Sequence, residues 1–470
     1  MRLVLAALWC VVMMACPGPA VVDAGTGGGG ATGGGATGGG AATGGGIATG
    51  GGSPMGGGEA TGGGVSTTGG GSATGGGSPD AGPGPFMPGV EPSGPVPGEV
   101  TLWQLDLAPG ILQRTGEAAV LVGPDGTLVV LDVGNSNHDD EVLAAVRDLN
   151  RNWLTPARGY PRARGDVEVE WVLLTHFHSD HIGSFGALAG VLSITRGVIH
   201  RGFVDVGPGT NASDFQALCT QLTGALATKN VALCHASPDS SCTVGARSPA
   251  TSCPGLVLGD LATAADDAMG LPSFIPLGGG ARLELLGANG WMLQGATPVA
   301  GAAFGVTDVN EENARSVVSL VRHGAFRYLF AGDLSGSGAS TEPDVESYVV
   351  NSSPQTFAGG GLDVTHANHH ARKTSSNANW VNAAAPLDGK ARNVLAGIND
   401  AYVNSPHQET LDAWTTGQRL GGGRVVVTHR APLGGTVPEL FDANGRVVLQ
   451  TVQGGDGYWL GGQAFPSVRR

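Results

Sequence analysis

The chain has 470 residues, of which 83 are glycine, a formal net charge of −14 and six cysteines. Much of the glycine precedes residue 100, so the folded part is smaller than the length implies. The acidic balance excludes broad, non-specific adhesion to nucleic acid, which needs a basic surface, but leaves room for a local basic site.

Residues 1–16, "MRLVLAALWCVVMMAC", place one early arginine before an apolar run and a small residue before Cys16. This reads as a signal peptide, too short to span a bilayer as a mature helix. The "MMAC" ending resembles a bacterial lipobox, which implies that Cys16 is lipidated and becomes the first mature residue. Met13 stands where that motif usually has leucine, and ordinary cleavage near Ala20 or Ala24 is the alternative. Either way the product is exported: an envelope lipoprotein at the outer membrane or cell surface, meeting the membrane through its lipid, or a secreted protein.

Residues 17–98 repeat "ATGGG"-like units and end Pro-rich, a composition that cannot bury a core. The expectation is a disordered tether of roughly 50 Å r.m.s. reach. The domain proper is expected over 99–470.

Strands are expected at 101–107, 117–123 and 127–134, then a helix over 138–153 with acidic residues in its first turn, then a buried strand over 167–175. Further strand or helix patterns follow at 281–287, 315–324, 326–336, 361–377, 391–399, 407–420 and 423–430. Repeated strand–helix alternation makes this a layered α/β domain. Between them, Cys219, Cys234, Cys242 and Cys253 cluster in an insertion at about 205–275. In an oxidising compartment they form two disulfides, with three connectivities open; a zinc site including His235 is the competing reading.

The apolar run "VEWVLL" (169–174) leads directly into "THFHSDHIGS". In an extended segment His176 and His178 share a face, and a turn at Ser179 and Asp180 sends Asp180 and His181 to a neighbouring position. Imidazole and carboxylate suit borderline divalent metals, so the spacing reads as two adjacent ion sites.

"HFHSDH" resembles the signature of the metallo-β-lactamase superfamily, whose fold is an αβ/βα four-layer sandwich. The resemblance implies that Asp132, ending "LVVLDVG", holds a ligand histidine by hydrogen bonding, and that Asp333, in "YLFAGDLSG", bridges two metals. Within the superfamily the pattern is most similar to the hydrolase domain of the ComEC competence protein, on "QLDLAPG" (104–110), "GEAAVLVGPDGTLVVLDVG" (116–134), "ENARSVVSLVRHGAFRYLFAGDL" (312–334) and "NHHARKTSS" (368–376). Glu117 departs from that group's aspartate, "HHAR" from its His-His-Gly-Ser, and "AYVNSPH" (401–407) matches its Tyr-Gly-His-Pro only loosely.

The resemblance implies two divalent ions, zinc or else manganese. One takes His176, His178 and Asp333; the other takes Asp180, His181, His369 and Asp333, with a hydroxide between. His370 is expected to act in the second layer or as a proton donor, Asp180 to join the chemistry, and His366 and His200 are further candidates. Two metals sharing a water lower its pKa and stabilise attacking and leaving oxygens.

The expected reaction is phosphodiester hydrolysis, with nucleic acid among the candidate substrates, and Arg372 and Lys373 beside the ligands suit phosphate. The run 147–166, with five arginines, reads as a solvated basic loop at least as well. Two alternatives stand: lactone or β-lactam hydrolysis, with the Cys-rich insertion building an apolar pocket, and a non-catalytic surface binding protein. An idle site has no physical need for six ligand-type residues, which argues against the last. Oligomeric state is not legible.

Overall fold

A computed structural model describes residues 92–107, 116–207, 209–236, 242–245, 248–263, 272–301, 309–337, 342–398, 405–429 and 437–469. The signal peptide, Cys16 and nearly all of the expected tether lie outside the described residues.

The first sheet holds β1 (Thr101–Gln104), β2 (Ala119–Val122), β3 (Leu128–Leu131), β4 (Glu168–Leu174), β5 (Ser193–His200) and β6 (Asn230–Ala232). The second holds β7 (Phe274–Gly278), β8 (Ala281–Ala288), β9 (Trp291–Gln294), β10 (Thr297–Ala300), β11 (Val318–His323), β12 (Phe326–Phe330), β13 (Val364–His366), β14 (Asn393–Ala396), β15 (Val425–Val427) and β16 (Leu440–Asp442). Three C-terminal strands, β17 (Val447–Thr451), β18 (Gly457–Leu460) and β19 (Gln463–Pro466), return to the first sheet beside β1, giving the order β19-β18-β17-β1-β2-β3-β4-β5-β6. In the second sheet the order is β10-β9-β8-β11-β12-β13-β14-β15-β16, with β7 pairing β8.

Both sheets change from antiparallel to parallel pairing toward the strands that carry the chemistry: β3 to β6 and β12 to β16 run parallel. Parallel strands are covered on both faces, which is why β4 is buried along its whole length after Glu168. Period-two alternation splits each strand between two cores. Leu121, Leu131 and Leu173 meet Leu283, Phe330 and Leu395 between the sheets. Val120, Val130 and Val172 face outward, under α1 (Asp139–Asp148), α2 (Ser179–Ile182), α3 (Phe185–Leu188) and α4 (Ala212–Thr223). On the far side Leu320, Leu329 and Val394 pack under α5 (Val345–Ser352), α6 (Pro354–Phe357), the turn α7 (Asn368–Ala371), α8 (Ala378–Ala384) and α9 (Gln408–Thr415). The result is the expected αβ/βα four-layer α/β sandwich. Truncating one of these inter-sheet leucines to alanine costs about 2–5 kcal/mol.

Three places refine the sequence reading. The helix expected over 138–153 keeps α geometry to Asp148 and then widens into a π turn, Leu149–Trp153. Gly98 N–H donates to Pro124 O at 3.0 Å, so the last residues assigned to the tether lie against the domain. In the insertion, Cys219 is bonded to Cys242 and Cys234 to Cys253. No helix among the described residues is long and apolar enough to cross a membrane.

Candidate metal centre

The candidate residues converge from the carboxyl ends of β3, β4, β12 and β13, where α/β sheets present their ligands. Asp132 follows β3 in a left-handed conformation, φ 52°. Asp333 follows β12 after Gly332, φ 52°, where a Cβ would stand 2.6 Å from Thr175 Oγ1; glycine is what lets the two strand ends approach.

Asp333 faces two sets of donors with its two oxygens. Oδ2 lies 3.9 Å from His176 Nε2, and His178 Nδ1 is 3.2 Å from that same nitrogen. Oδ1 lies 3.2 Å from His181 Nε2 and 3.4 Å from His370 Nε2. Two ligand-capable groups result, His176–His178–Asp333 and Glu117–His181–Asp333–His370. Asp180 flanks the second, with Oδ2 3.6 Å from His370 Nε2.

Hydrogen bonds set the tautomers. Thr175 donates its hydroxyl to Asp132 Oδ2 at 2.7 Å and its amide to Oδ1 at 2.7 Å. Its oxygen therefore accepts from His176 Nδ1, 3.0 Å away, leaving the Nε2 lone pair toward Asp333. His181 Nδ1 donates to Asp132 Oδ2 at 2.8 Å, with the same consequence for its Nε2. His370 Nδ1 donates to Gly397 O at 3.1 Å, which turns Nε2 toward Asp333 Oδ1.

The structure sets His370, rather than His369, beside His181. His369 Nε2 lies 3.8 Å from Asp333 Oδ2, on the His176 side, but accepts from Asn313 Nδ2 at 3.2 Å, while its Nδ1 donates to Thr374 Oγ1 at 2.6 Å. Its lone pair is thus engaged by an amide, and His370 takes the place beside His181. The cause is local: His369, His370 and Ala371 are all left-handed, φ 52°, 50° and 57°, a run that no strand or helix pattern announces.

The other candidates are placed as follows. His366 Nε2 is 2.7 Å from Glu117 Oε1, and His366 stands behind the centre as a holder of that carboxylate. His200 is committed to Asn230 and to the Gly202 amide, and His235 is exposed in the insertion. Arg372 is half-buried and Lys373 exposed. From the run 147–166, Arg151, Arg162 and Arg164 pair with Asp166, Glu168 and Glu170 around the amino end of β4, away from the centre. Glu117 was visible in sequence only as a departure from a pattern, and Asn313 only inside the resembling stretch 312–334; Glu312 and Arg201 were not singled out.

Burial would push the Asp333 carboxyl up, but the imidazoles of His370, His181 and His369 hold it well below the usual carboxylate range. Burial likewise opposes, and Asp333 and Asp132 outweigh, the charge on His181, whose pKa is raised well above the ordinary value. Burial pulls His369 down to about 4. The donor set fits a cation: with Nδ1 tied to Asp132, His181 Nε2 faces Asp333 Oδ1 at 3.2 Å, and beside them Glu117 Oε2 is buried without a hydrogen-bond partner, which a metal would satisfy.

Residues 113–210 match the profile of the family described as Metallo-beta-lactamase superfamily. Over those residues the chain is similar to that superfamily, and it carries a His/Asp/Glu cluster that could hold metal. No curated protein matches it. Among solved structures, a metallo-β-lactamase motif mutant from Cronobacter sakazakii aligns at 14% identity and TM-score 0.24, over 56% of this chain and 75% of that one. The metallo-β-lactamase MIM-1 from Novosphingobium pentaromativorans aligns at 16% and 0.26, over 57% and 73%. A superfamily protein from Sulfolobus tokodaii aligns at 16% and 0.20, over 51% and 65%.

Proposed function

We infer that the protein is a metal-dependent hydrolase of phosphodiesters, exported and tethered to the cell envelope through a lipid on Cys16. The observation that carries the hydrolase reading is the sharing of Asp333 between two donor groups, one of which includes a buried carboxylate oxygen, Glu117 Oε2, with no hydrogen-bond partner. His176, His178 and Asp333 would hold one divalent ion, and His181, His370, Glu117 and Asp333 the other. Two bound ions, zinc or manganese, supply water activation and charge neutralisation at the scissile bond.

The chain's own residues do the rest. Asp180, whose side chain is 21% exposed beside His370, is assigned the proton of the attacking water. With Nδ1 tied to Gly397 O, His370 serves as a fixed donor atom and no longer as the proton donor expected of it.

The phosphodiester reading is supported by Arg372, whose charge is felt at His369, and by Lys373 next to it in the chain. Guanidinium and ammonium there suit phosphate oxygens better than a lactone carbonyl.

The test measures bound metal, then turnover of bis-p-nitrophenyl phosphate, nitrocefin and a lactone panel. Fewer than two ions per chain would sink the dinuclear reading. Phosphodiesterase activity is expected to vanish in Asp180→Ala, and Arg372→Ala is expected to raise KM roughly tenfold, the worth of one charge-assisted hydrogen bond. Nitrocefin or lactone turnover without phosphodiesterase activity transfers the site to carbonyl substrates.

A further inference from the structure

Phe177 lies between His176 and His178, and its backbone is held by a buried ion pair from elsewhere in the fold. Its N–H donates to Glu312 Oε1 at 2.8 Å. Arg201, one residue beyond β5, binds both oxygens of that carboxylate, Nε to Oε1 and Nη2 to Oε2, each at 2.8 Å. Its remaining nitrogen, Nη1, donates to Val204 O at 2.6 Å and Asn289 Oδ1 at 2.8 Å. The guanidinium also sits 4.2 Å from the centre of the Phe177 ring. Arg201 and Glu312 are 0% and 1% exposed.

We propose that Glu312, locked by Arg201, is a positioning residue that fixes the His176–Phe177 peptide and so aims His176 and His178 at one ion. This rests on the metal-binding reading above.

Two arguments carry it. First, the amide of Phe177 belongs to the first of the two peptide planes that link His176 to His178. In an extended segment, fixing that plane and the inward-facing ring of Phe177 fixes the opposite face, which carries both imidazoles. Phe177 is pinned on that inward side by Phe215, with ring centres 5.2 Å apart, as well as by Arg201. Second, a fully buried Arg–Glu pair is poor value as a stabiliser, since apolar residues of similar volume usually hold a core as well. Its geometry is what apolar residues cannot reproduce: a carboxylate oxygen held rigidly under one amide between two ligands. The neighbouring Asn313 extends the same segment to His369 Nε2, so residues 312–313 touch the centre from both sides.

The test titrates cobalt(II) against a competing chelator in the full chain. Wild type is expected to take two ions. The double variant Arg201→Met/Glu312→Met, which leaves no unpaired buried charge, is expected to fold and to lose affinity at one of the two sites by roughly 10–100-fold, the effect usual for partners that orient ligands. Arg201→Met/Glu312→Gln, which keeps an oxygen for the Phe177 amide, is expected to recover wild-type affinity to within a few-fold. A purely structural pair would leave both double variants alike. Two tight ions in the Met/Met variant overturn this proposal alone; fewer than two in wild type overturn the metal reading and this one with it. Independently of any variant, the Phe177 amide of metal-free wild type is expected to exchange hydrogen only on global unfolding, and exchange at the rate of an exposed amide overturns the proposal.

Discussion

Asp132 Oδ2 lies 2.8 Å from His181 Nδ1, and through the Thr175 hydroxyl, 2.7 Å away, the same oxygen also orients His176. One carboxylate therefore sets the tautomers of a histidine in each donor group. Asp132 is 0% exposed, and burial, outweighing His181, raises its pKa above the ordinary carboxylate value.

Asp132→Asn tests this dependence. An amide nitrogen placed where Oδ2 stands cannot accept from both Thr175 Oγ1 and His181 Nδ1, so at least one imidazole loses its orienting bond. Metal affinity is expected to fall roughly 10–100-fold with the fold retained. A chelator-competition titration reads this directly, and unchanged affinity at both sites would mean that the hub does not orient the ligands.

The two adjacent histidines give a sharper test because the geometry assigns them different work. His370→Ala removes a donor beside His181 and is expected to leave one tightly bound ion per dialysed chain. His369→Ala removes a ring already engaged by Asn313 and Thr374, and two ions are expected to remain. Metal analysis of both variants decides the matter; the opposite pattern would return the ligand role to His369.

What the sequence made legible was local. The strand before "HFHSDH" and the strand ends at Asp132 and Asp333 are written in runs of apolar residues, and their chemistry sits one to three positions beyond. What it hid depends on distant pairs or on backbone conformation. Glu117 meets His366 across 249 positions and Arg201 meets Glu312 across 111. Nothing in either neighbourhood marks the partner. The strands β17 to β19 escaped for a related reason. They are short antiparallel pieces near the C-terminus, and their place beside β1 is a long-range pairing that no local pattern marks.

The left-handed run at 369–371 makes its own prediction. Ala371 has φ 57° and is 1% exposed, so its backbone is strained and its methyl is packed. Ala371→Gly relieves about 1–2 kcal/mol of strain. It gives back about 0.8 kcal/mol of methyl burial and 0.4–1 kcal/mol through the looser unfolded chain. It is therefore expected to be nearly neutral. Ala371→Val places a β-branched residue in the left-handed region of a filled core and is expected to destabilise by about 3 kcal/mol. Denaturant unfolding of both variants checks the contrast, and a well-tolerated valine would show that the turn is not held in this conformation.

A last prediction concerns acid stability away from the centre. Asp363 is buried and accepts the amides of Arg327 and Val468, each at 2.7 Å, tying β12 to the C-terminal end of the chain. Burial raises its pKa to about 6, against the lowering effect of those amides and of Arg469. Arg327 and Tyr458 are the other ionisable groups that feel it. A carboxyl with a raised native pKa holds its proton more firmly in the folded than in the unfolded state. Its favourable contribution is complete below about pH 4 and is lost as pH rises through 6, a change of up to about 3 kcal/mol. Asp363→Asn removes the titration and resembles the protonated acid. The unfolding free energy of wild type minus that of Asp363→Asn is therefore expected to fall between pH 4 and pH 6.5 and then stay level. A difference that is flat across this range, or that rises, would mean that Asp363 is ionised in the folded protein throughout and that its two amide bonds outweigh its burial.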